Sequence, residues 1–492
     1  MRIFEILQNK AFASIGAAGR ASIMIFSAFV AAIAVSPAWA GQEDDERLEV
    51  LVAAQESMLE QQAAQIARLE ARLADLEKIS GAVLRPGIVR EFYAPQNSID
   101  AARDEREDHG DGAAEFGRYQ DDAVVRVGAF DRAIAVPGTD LSVRIGGFVQ
   151  ADTLIDFGKI GAPRAFVART ITSGGAGDRD VRMTARRSRF NLDIRGPGED
   201  ADFRVFIEGD FDGDGGESLV ANGSSLRLRH AFGKLGPIYA GQYWTMMTDV
   251  AAYPETLDPV SPAGRVGARQ TTFRYVSNDI GPFSRFAVGI ENPEADIAGA
   301  VSDERAPGPD LHGNLALAGP WGHVQLAGVA RWMSAADPAG NEFSATGWGL
   351  NLTGRFELPY GDRRNNLVFG AIGGDGIGRY LMEFAGSGYD AFLDAQAGEL
   401  VTVTAYGGYA GGQFWWTDRL RSNAVIGAAQ AELPTLYAPE SVNRVTTLSA
   451  NLMWNPIDQV TLGAEWQWGV SERVDGEKAD ASRLQVTARH QF

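Results

Sequence analysis

Apolar and polar residues alternate along most of the chain, from about residue 141 to the C-terminus. In the segment 459–468 the alternate apolar residues share one face: Val460, Leu462, Ala464, Trp466 and Trp468. The opposite face carries Thr461, Glu465 and Gln467. A period of two over about ten residues is typical of a strand that crosses an outer membrane at a tilt.

Sixteen segments with this period can be counted back from the C-terminus. They lie near residues 141–156, 182–195, 201–211, 226–233, 237–245, 271–277, 283–291, 311–318, 322–332, 345–356, 365–373, 401–416, 420–431, 443–454, 459–470 and 482–492. Their number is even, as in bacterial single-chain barrels, and short turns alternate with long loops between them. Because a polar face cannot face lipid, it must line an interior.

The pattern therefore predicts an all-β transmembrane barrel of about 16 antiparallel strands over residues 141–492. A soluble β-sandwich is the alternative fold, but its strands would be shorter and its polar faces would be turned to water. In barrels of this kind the short turns lie in the periplasm, so the segments that precede the first strand are expected there too.

The first 40 residues have the composition of a secretory signal. Basic residues precede an apolar run from Ala21 to Val35, and the small residues up to Ala40 precede Gly41. We expect cleavage after Ala40, and an uncleaved anchor helix is the alternative. A cleaved signal places the mature chain outside the cytoplasm.

Residues 41–80 follow with a heptad repeat. Apolar and Gln residues recur four and three apart at Leu48, Val52, Gln55, Leu59, Gln62, Ile66, Leu69, Leu73 and Leu76. This spacing predicts an α-helical coiled coil that associates with copies of itself, with two Gln layers that fix its register or strand number. An amphipathic helix packed on its own domain is the alternative. Residues 81–140 have too little apolar content to fold alone and are interpreted as a linker.

The chain contains no Cys and carries a formal net charge of −19. The first fact excludes disulfides and thiolate metal sites, and the second argues against nucleic acid as a partner. The five His residues show no Ser-His-acid or metal-ligand spacing, so we predict no catalytic residue, no metal and no cofactor. Asp210 to Gly215 matches the first half of a calcium loop. Ala221 stands where a bidentate Glu is required, so an acidic hairpin tip is the favoured interpretation.

Many arginines fall on the polar, inward faces of the predicted strands. Nine of them are predicted to line a pore: Arg187, Arg189, Arg204, Arg227, Arg229, Arg274, Arg285, Arg331 and Arg355. A guanidinium stays charged at any working pH and binds a carboxylate through two parallel hydrogen bonds. Such a wall concentrates anions in a narrow channel. The alternative is a set of salt bridges within the wall, to Asp193, Glu208 and Asp210.

The long connection Thr245 to Gln270 is the third outer loop in the predicted topology. It carries charged and aromatic residues that would narrow the channel if it folded inward: Asp249, Tyr253, Glu255, Asp258, Arg265 and Arg269. We expect these residues to set opposite charges across a constriction. An exposed loop or a subunit contact is the alternative.

The last predicted strand alternates to a terminal Phe492. This ending resembles the C-terminal signature of proteins folded by the outer-membrane assembly machinery, which is therefore an expected partner. His490 stands where an aromatic Tyr is more usual, and we expect its ring at the membrane boundary rather than in catalysis.

A further set of motifs lies in the first part of the predicted barrel. They are the opening strand 146–158, Arg186-Arg-Ser-Arg-Phe190, Glu208-Gly-Asp-Phe211, Gly241-Gln-Tyr-Trp-Thr245, Pro254-Glu-Thr-Leu-Asp258 and Arg274-Tyr275. Together with the heptad helix, these segments resemble the DcaP-like trimeric outer-membrane porin family. The resemblance implies a homotrimer of sixteen-stranded barrels whose periplasmic helices bundle together and which passes small anionic solutes such as dicarboxylates.

These observations predict a porin in the bacterial outer membrane, surrounded by outer-membrane lipid and passing small anionic solutes, carboxylates or dicarboxylates. A structural protein that tethers the envelope through the coiled coil is the first alternative function. An outer-membrane hydrolase is the second.

Overall fold

The described residues form a closed antiparallel barrel of sixteen long strands. The computed structural model covers residues 127–174, 179–197, 202–218, 223–280, 283–359 and 364–492. In chain order the strands are β1 (Ser142–Phe157), β2 (Arg179–Thr184 and Arg189–Gly196), β3 (Phe203–Ser218), β4 (Gly223–Leu235), β5 (Ile238–Trp244), β6 (Arg269–Ile280), β7 (Phe283–Glu291), β8 (Asp310–Gly319), β9 (Gly322–Ala336), β10 (Glu342–Glu357), β11 (Asn366–Asp375), β12 (Thr404–Trp415), β13 (Leu420–Glu432), β14 (Val442–Trp454), β15 (Val460–Arg473) and β16 (Lys478–Gln491). The predicted barrel is confirmed, and each of the sixteen predicted segments overlaps one strand.

The barrel closes where the first strand pairs with the last. β1 runs antiparallel to β16, from Phe148 opposite Gln491 to Phe157 opposite Ser482. The other edge of β1 pairs with both segments of β2. Each barrel strand therefore has a partner on both sides, which satisfies the backbone hydrogen bonds that lipid cannot.

The two faces of the wall differ as the period of two predicts. On β10, Trp348, Leu350 and Leu352 point outward and are 57%, 50% and 41% exposed. Asn351 and Thr353 alternate with these residues, point inward and are each 3% exposed. Apolar side chains thus cover the outer surface and polar side chains face the interior.

Exposed aromatic rings collect near both ends of the outer surface. Trp348 on β10 and Tyr406 on β12 lie toward one end, and Phe356 and Phe414 lie eight residues further along the same strands. Eight residues span about 26 Å of strand. This spacing matches the apolar band of an outer-membrane barrel with its two flanking aromatic girdles.

The two ends of the barrel carry different connections. At the short-turn end, turns such as 236–237 join neighbouring strands. The opposite, long-loop end carries three loops that matter for the interior: L1 (158–178), L3 (245–268) and L6 (376–403). Helices in the described residues are single 3-10 turns, and none is long and apolar enough to cross a membrane.

The chain reaches the barrel at the short-turn end. Ile134–Ala135 pairs with Val143 and Ser142 of β1, and Val127 bridges to Ile134. Residues 127–140, assigned to the linker from sequence, are therefore part of this end of the barrel. The signal segment and the coiled coil lie outside the described residues and stay predictions.

Three loops pack inside the barrel against its wall. L1, L3 and L6 contribute buried side chains to one apolar cluster: Phe166, Ile171, Met247, Val266, Leu381 and Phe384. The wall adds mostly small residues: Ala327, Ala405, Ala429, Ala431 and Ala481. Small inward side chains leave room for the loops, and each large side chain buried this way contributes roughly 1.5–3 kcal/mol. The sequence predicted an inward L3 but not the inward L1 and L6.

Glu383 of L6 is a carboxyl group inside this loop packing. The residue is 1% exposed, its Oε2 accepts the backbone N–H of Arg169 in L1 at 3.3 Å, and its Oε1 has no hydrogen-bond partner. Burial raises the pKa of Glu383 to about 7, and the nearby Asp258 adds to this rise, while the Arg169 backbone N–H and charge oppose it. The protonated form therefore suits the packed loops.

We expect the barrel to lose stability as pH rises from 4.5 to about 7, because native Glu383 keeps a proton that the unfolded chain has released. Glu383→Gln removes this titration, so its unfolding temperature should exceed that of the wild type above pH 7. Glu399→Gln, on the exposed part of L6, is the control. Equal pH profiles for the wild type and Glu383→Gln would contradict this expectation.

Candidate functional site

L3 runs inward and lies along the inner wall of the barrel. Near its start, Asn314 of β8 and Asn351 of β10 donate to the carbonyls of Met246 and Met247 at 3.0 and 2.7 Å. Further on, the hydroxyl of Tyr409 on β12 donates to the carbonyl of Ala252 at 3.1 Å. The predicted inward fold is therefore observed, and L3 narrows the interior.

Asp249 fixes the first part of L3 to the wall. Its Oδ2 lies 2.7 Å from Nε2 of His323 and accepts the hydroxyl of Thr353 at 2.8 Å. Burial opposes ionisation of this group, but the hydrogen bond and charge of His323 outweigh it and hold the pKa of Asp249 below its usual value. Asp249 is thus an anchor, since it is 7% exposed and its carboxylate is engaged by the wall.

Glu255 and Asp258 anchor the second part of L3. Arg421 of β13 binds the Glu255 carboxylate through Nε and Nη2, at 2.6 and 2.5 Å. Asp258 is fully buried and accepts the backbone N–H of Phe166 in L1 at 2.9 Å. Both acids are therefore bound by neighbouring groups, although Glu255 also borders the cavity on the short-turn side of L3.

A stack of cations and aromatic rings links L3 to β5 and β6. The guanidinium of Arg265 lies 4.3 Å from the Tyr253 ring, Tyr253 meets Trp244 edge to face at 6.2 Å, and Arg269 lies 4.5 Å from the Trp244 ring. Arg269 was assigned to the loop from sequence, but it is the first residue of β6. The stack holds the Arg269 guanidinium against an aromatic face inside the barrel.

Arginines on β2 to β4 share a smaller number of acids. Arg229 donates to Glu208 and to Asp210, both at 2.8 Å. Arg189 lies 3.4 Å from Glu208, and Arg227 binds both oxygens of Asp210 at 2.8 and 2.9 Å. The salt bridges proposed as an alternative are present, but each carboxylate serves two guanidinium groups.

Two further arginines on β6 lack a carboxylate partner. In the described part of the chain, no carboxylate oxygen lies within 4.0 Å of a guanidinium nitrogen of Arg269 or Arg274. Arg274 donates only to the carbonyl of Trp244, at 3.3 Å. The inner wall from β2 to β6 thus carries more positive than negative charge.

A cavity of about 360 Å³ lies below L3, toward the short-turn end. On one side Arg189 and Arg489 lie 5.1 and 4.6 Å from the Phe148 ring. On the other side Arg421 lies 5.0 Å from the ring of Trp415, and the top is formed by L3. Sequence reasoning missed Phe148 and Trp415, although Phe148 shares the inward parity of Gln150 and Asp152.

The remaining predicted pore arginines fall into two groups. Arg204, Arg285 and Arg355 lie on the inner wall toward the short-turn end, bonded to Asp193, Gln325 and Glu357 in turn. Arg187 and Arg331 are 8% and 1% exposed. Arg331 is enclosed by Asp310 and Asp390 at 3.0 and 2.9 Å, so no surface remains for a solute and its pore-lining assignment is corrected.

The acidic segment that begins at Asp210 is neutralised by arginines. Both oxygens of Asp210 bind Arg227, and Asp212 and Asp214 lie 3.4 and 3.3 Å from Arg164 of L1. No group of three or more His, Asp or Glu residues with metal-binding geometry occurs in the residues that the structure covers. The segment fits the acidic hairpin interpretation.

The family comparison matches this barrel over its described length. The family model for the DcaP outer membrane protein matches residues 127–492. The chain belongs to the DcaP outer membrane protein family. No curated protein sequence matches it. The resemblance seen in the sequence motifs is thereby confirmed, and membership places the barrel in the outer membrane.

A solved outer-membrane channel shares the fold, and solved porins are also similar to the chain. The outer membrane channel DcaP of Acinetobacter baumannii matches with a TM-score of 0.63 and 21% identity, over 72% of this chain and 97% of that one. The anion-selective porin from Comamonas acidovorans gives 0.49 and 12%, over 72% and 100%. The trimer form of OmpT from Vibrio cholerae gives 0.46 and 13%, over 72% and 100%.

Gly264 allows L3 of this DcaP-family barrel to touch the wall backbone. Its φ is +79°, and an added Cβ would lie 2.4 Å from the Ala428 carbonyl oxygen and the Gly408 nitrogen. We expect Gly264→Ala to push L3 off β12 and β13 and to lower stability by roughly 1–3 kcal/mol, measured by unfolding in denaturant.

Gly340→Ala is the matched control for this contact. Gly340 has a φ of +85° with open space around it, so the variant carries the same backbone strain without the collision. If both variants lose equal stability, the close approach of L3 contributes nothing beyond backbone strain.

Proposed function

We propose that this protein is a diffusion channel for small anionic solutes, carboxylates and dicarboxylates in particular, which pass along the arginine-rich wall of β2 to β6. The observation that carries the proposal is the unequal charge of that wall. On this wall, five arginines lie near three carboxylates. The arginines are Arg189, Arg227, Arg229, Arg269 and Arg274, and the carboxylates are those of Glu208, Asp210 and Asp212.

The side chains of this wall suit carboxylates. An arginine fork offers two parallel donors, and Arg269 has donors that no protein acceptor within the described residues uses. A carboxylate that reaches the terminal nitrogens of Arg269 would therefore gain hydrogen bonds that the described residues do not supply. In a narrow channel with a low-dielectric wall, the excess charge also raises the local concentration of anions.

The cavity below L3 extends this path toward the short-turn end. Its guanidinium groups pack against the rings of Phe148 and Trp415 and add positive charge to the lining of the cavity. We infer that the short turns face the periplasm, as in other outer-membrane barrels, and that solutes leave on that side.

Two further parts of the proposal concern assembly. The heptad segment is proposed to bundle three copies of the chain in the periplasm, which gives a homotrimer. Phe492 ends beside β1, where its backbone N–H donates to Gly147 at 3.1 Å, and its ring is 50% exposed. This exposed terminal ring is proposed as the feature that the assembly machinery recognises.

We expect the combined replacement of Arg189, Arg229 and Arg269 by Gln to shift the channel from anion toward cation preference. Arg227 and Arg274 then remain against Glu208, Asp210 and Asp212, so the local charge changes sign. Reversal potentials in asymmetric salt across a planar bilayer measure the permeability ratio.

Arg305→Gln is the control for this measurement, because Arg305 is an exposed loop residue paired with Asp303 and Glu342. Unchanged reversal potentials in the triple variant would remove the basis for the anion pathway. A barrel that conducts no ions would favour the tethering function instead, and turnover of a chromogenic ester by the purified protein would favour a hydrolase.

Deleting residues 42–79 tests the assembly part of the proposal. We expect a folded barrel that forms fewer or less heat-resistant trimers, because the heptad contacts are gone. Native gel migration with and without heating measures this loss. A truncated protein that is as heat-resistant a trimer as the full chain would assign the segment another role.

A further inference from the structure

We propose that Glu465 and Arg187 are positioning residues that set the width of the channel by holding the backbone of Leu257 and Asp258 in L3. The proposal rests on the function proposed above. It concerns side chains that control the width of the passage, which are different from the side chains that control its charge. Glu465 is 0% exposed, and the terminal nitrogens of Arg187 are engaged by Leu257, Asp258 and Arg164 of the loops.

Glu465 holds L3 through two consecutive backbone N–H groups. Its Oε2 accepts the N–H of Leu257 at 2.7 Å, and its Oε1 accepts the N–H of Asp258 at 3.1 Å. Hydrogen bonds to an ionised acceptor are roughly twice as strong as those between neutral groups. One carboxylate on β15 thus fixes both the position and the direction of the loop backbone.

The carboxylate of Glu465 is itself fixed. Asn451 of β14 donates to Oε2 at 2.9 Å, and Gln467 of β15 donates to Oε1 at 2.7 Å. Each oxygen therefore accepts one donor from the wall and one from L3. Because neighbouring strands orient this carboxylate, it holds the loop backbone at a defined position relative to the wall.

Arg187 holds the same two residues from the opposite side of the peptide. Its Nη1 donates to the carbonyl of Leu257 at 3.2 Å, and its Nη2 lies 3.4 Å from the Asp258 carboxylate and also donates to the Arg164 carbonyl of L1. Gln485 of β16 adds a second donor to the Leu257 carbonyl, at 3.3 Å. The N–H groups of both residues and the Leu257 carbonyl are thus engaged by the wall.

The held stretch lies where the passage is narrowed. Thr256 and Leu257 form the top of the cavity below L3 and face the wall that carries Phe148 and Arg489. A shift of this backbone therefore changes the opening between loop and wall. Arg189, Arg229 and Arg269 make no hydrogen bond or ion pair to L3 in the described chain, so the charge of the passage does not depend on this clamp.

Arg187→Lys tests the width of the channel without changing the charge of its wall. The ammonium keeps the positive charge but lacks the planar fork that reaches the Leu257 carbonyl and Asp258 together. We expect a larger exclusion limit for neutral sugars and polyethylene glycols in a liposome-swelling assay, with the anion-to-cation permeability ratio unchanged. Glu465→Gln should raise the exclusion limit too, because its amide presents a donor to one of the two L3 N–H groups.

Two buried residues that do not touch L3 provide controls. Arg483→Lys alters an arginine that is 0% exposed and donates to Asp156 and to the L1 carbonyl of Ala162. Asp193→Asn alters a 0% exposed carboxylate bound by Arg144 and Arg204. Both variants should keep the exclusion limit of the wild type.

The outcomes are distinct for the two proposals. Wild-type exclusion limits in both Arg187→Lys and Glu465→Gln would overturn the positioning role while leaving a conducting channel. A wild-type protein that conducts nothing would overturn the proposed function itself. If Glu465→Gln fails to assemble, Arg187→Lys decides alone, because it preserves the charge of the buried site.

Discussion

Hydrocarbon on the outside of the barrel gives a polar side chain no hydrogen-bond partner, so every such side chain on a membrane-spanning strand must point inward. This constraint crowds charges of neighbouring strands together. Arg204 meets Asp193 at 2.9 Å and Arg229 meets Asp210 at 2.8 Å. Removing one partner of such a buried pair leaves an uncompensated charge, which is costly. The electrostatics of the interior therefore follow from strand register, and only arginines in excess of this pairing are free to act on a solute.

The loops use the same polar inner face in a second way. Carboxylates and amides on β8 to β15 hydrogen-bond to the backbone of L3, as Asn351 and Glu465 do, while L1 and L6 add an apolar core over small wall residues. A loop held by side chains of the wall has little freedom to move independently of it. The strands β8 to β15 thus supply hydrogen bonds to the backbone of L3, whereas the unmatched guanidinium groups lie on β2 to β6.

The strands and the inward or outward direction of their side chains were predictable from sequence, because the alternation of apolar and polar residues is visible within each segment alone. The same alternation predicted the inward direction of Arg331 and Arg187 equally well. It does not reveal which other residues cover an inward side chain. Arg331 is enclosed by Asp390, which is distant in sequence and belongs to L6. Likewise, the apolar residues Leu381 and Phe384 could not be assigned to the interior without knowing that L6 folds onto L1. Phe148, in contrast, was available from its inward parity.

The packing of the loops on small wall residues limits which substitutions the barrel can accept. Gly264 of L3 packs against Gly408 of the wall, and Ala405 and Ala429 lie under L6. The wall therefore has small side chains where the loops pack. Substitutions there are constrained by volume, whereas those at β2 to β6 are constrained by charge. An added methyl group is therefore the larger disturbance on one flank, and an added or removed charge is the larger disturbance on the other, although both flanks belong to a single continuous sheet.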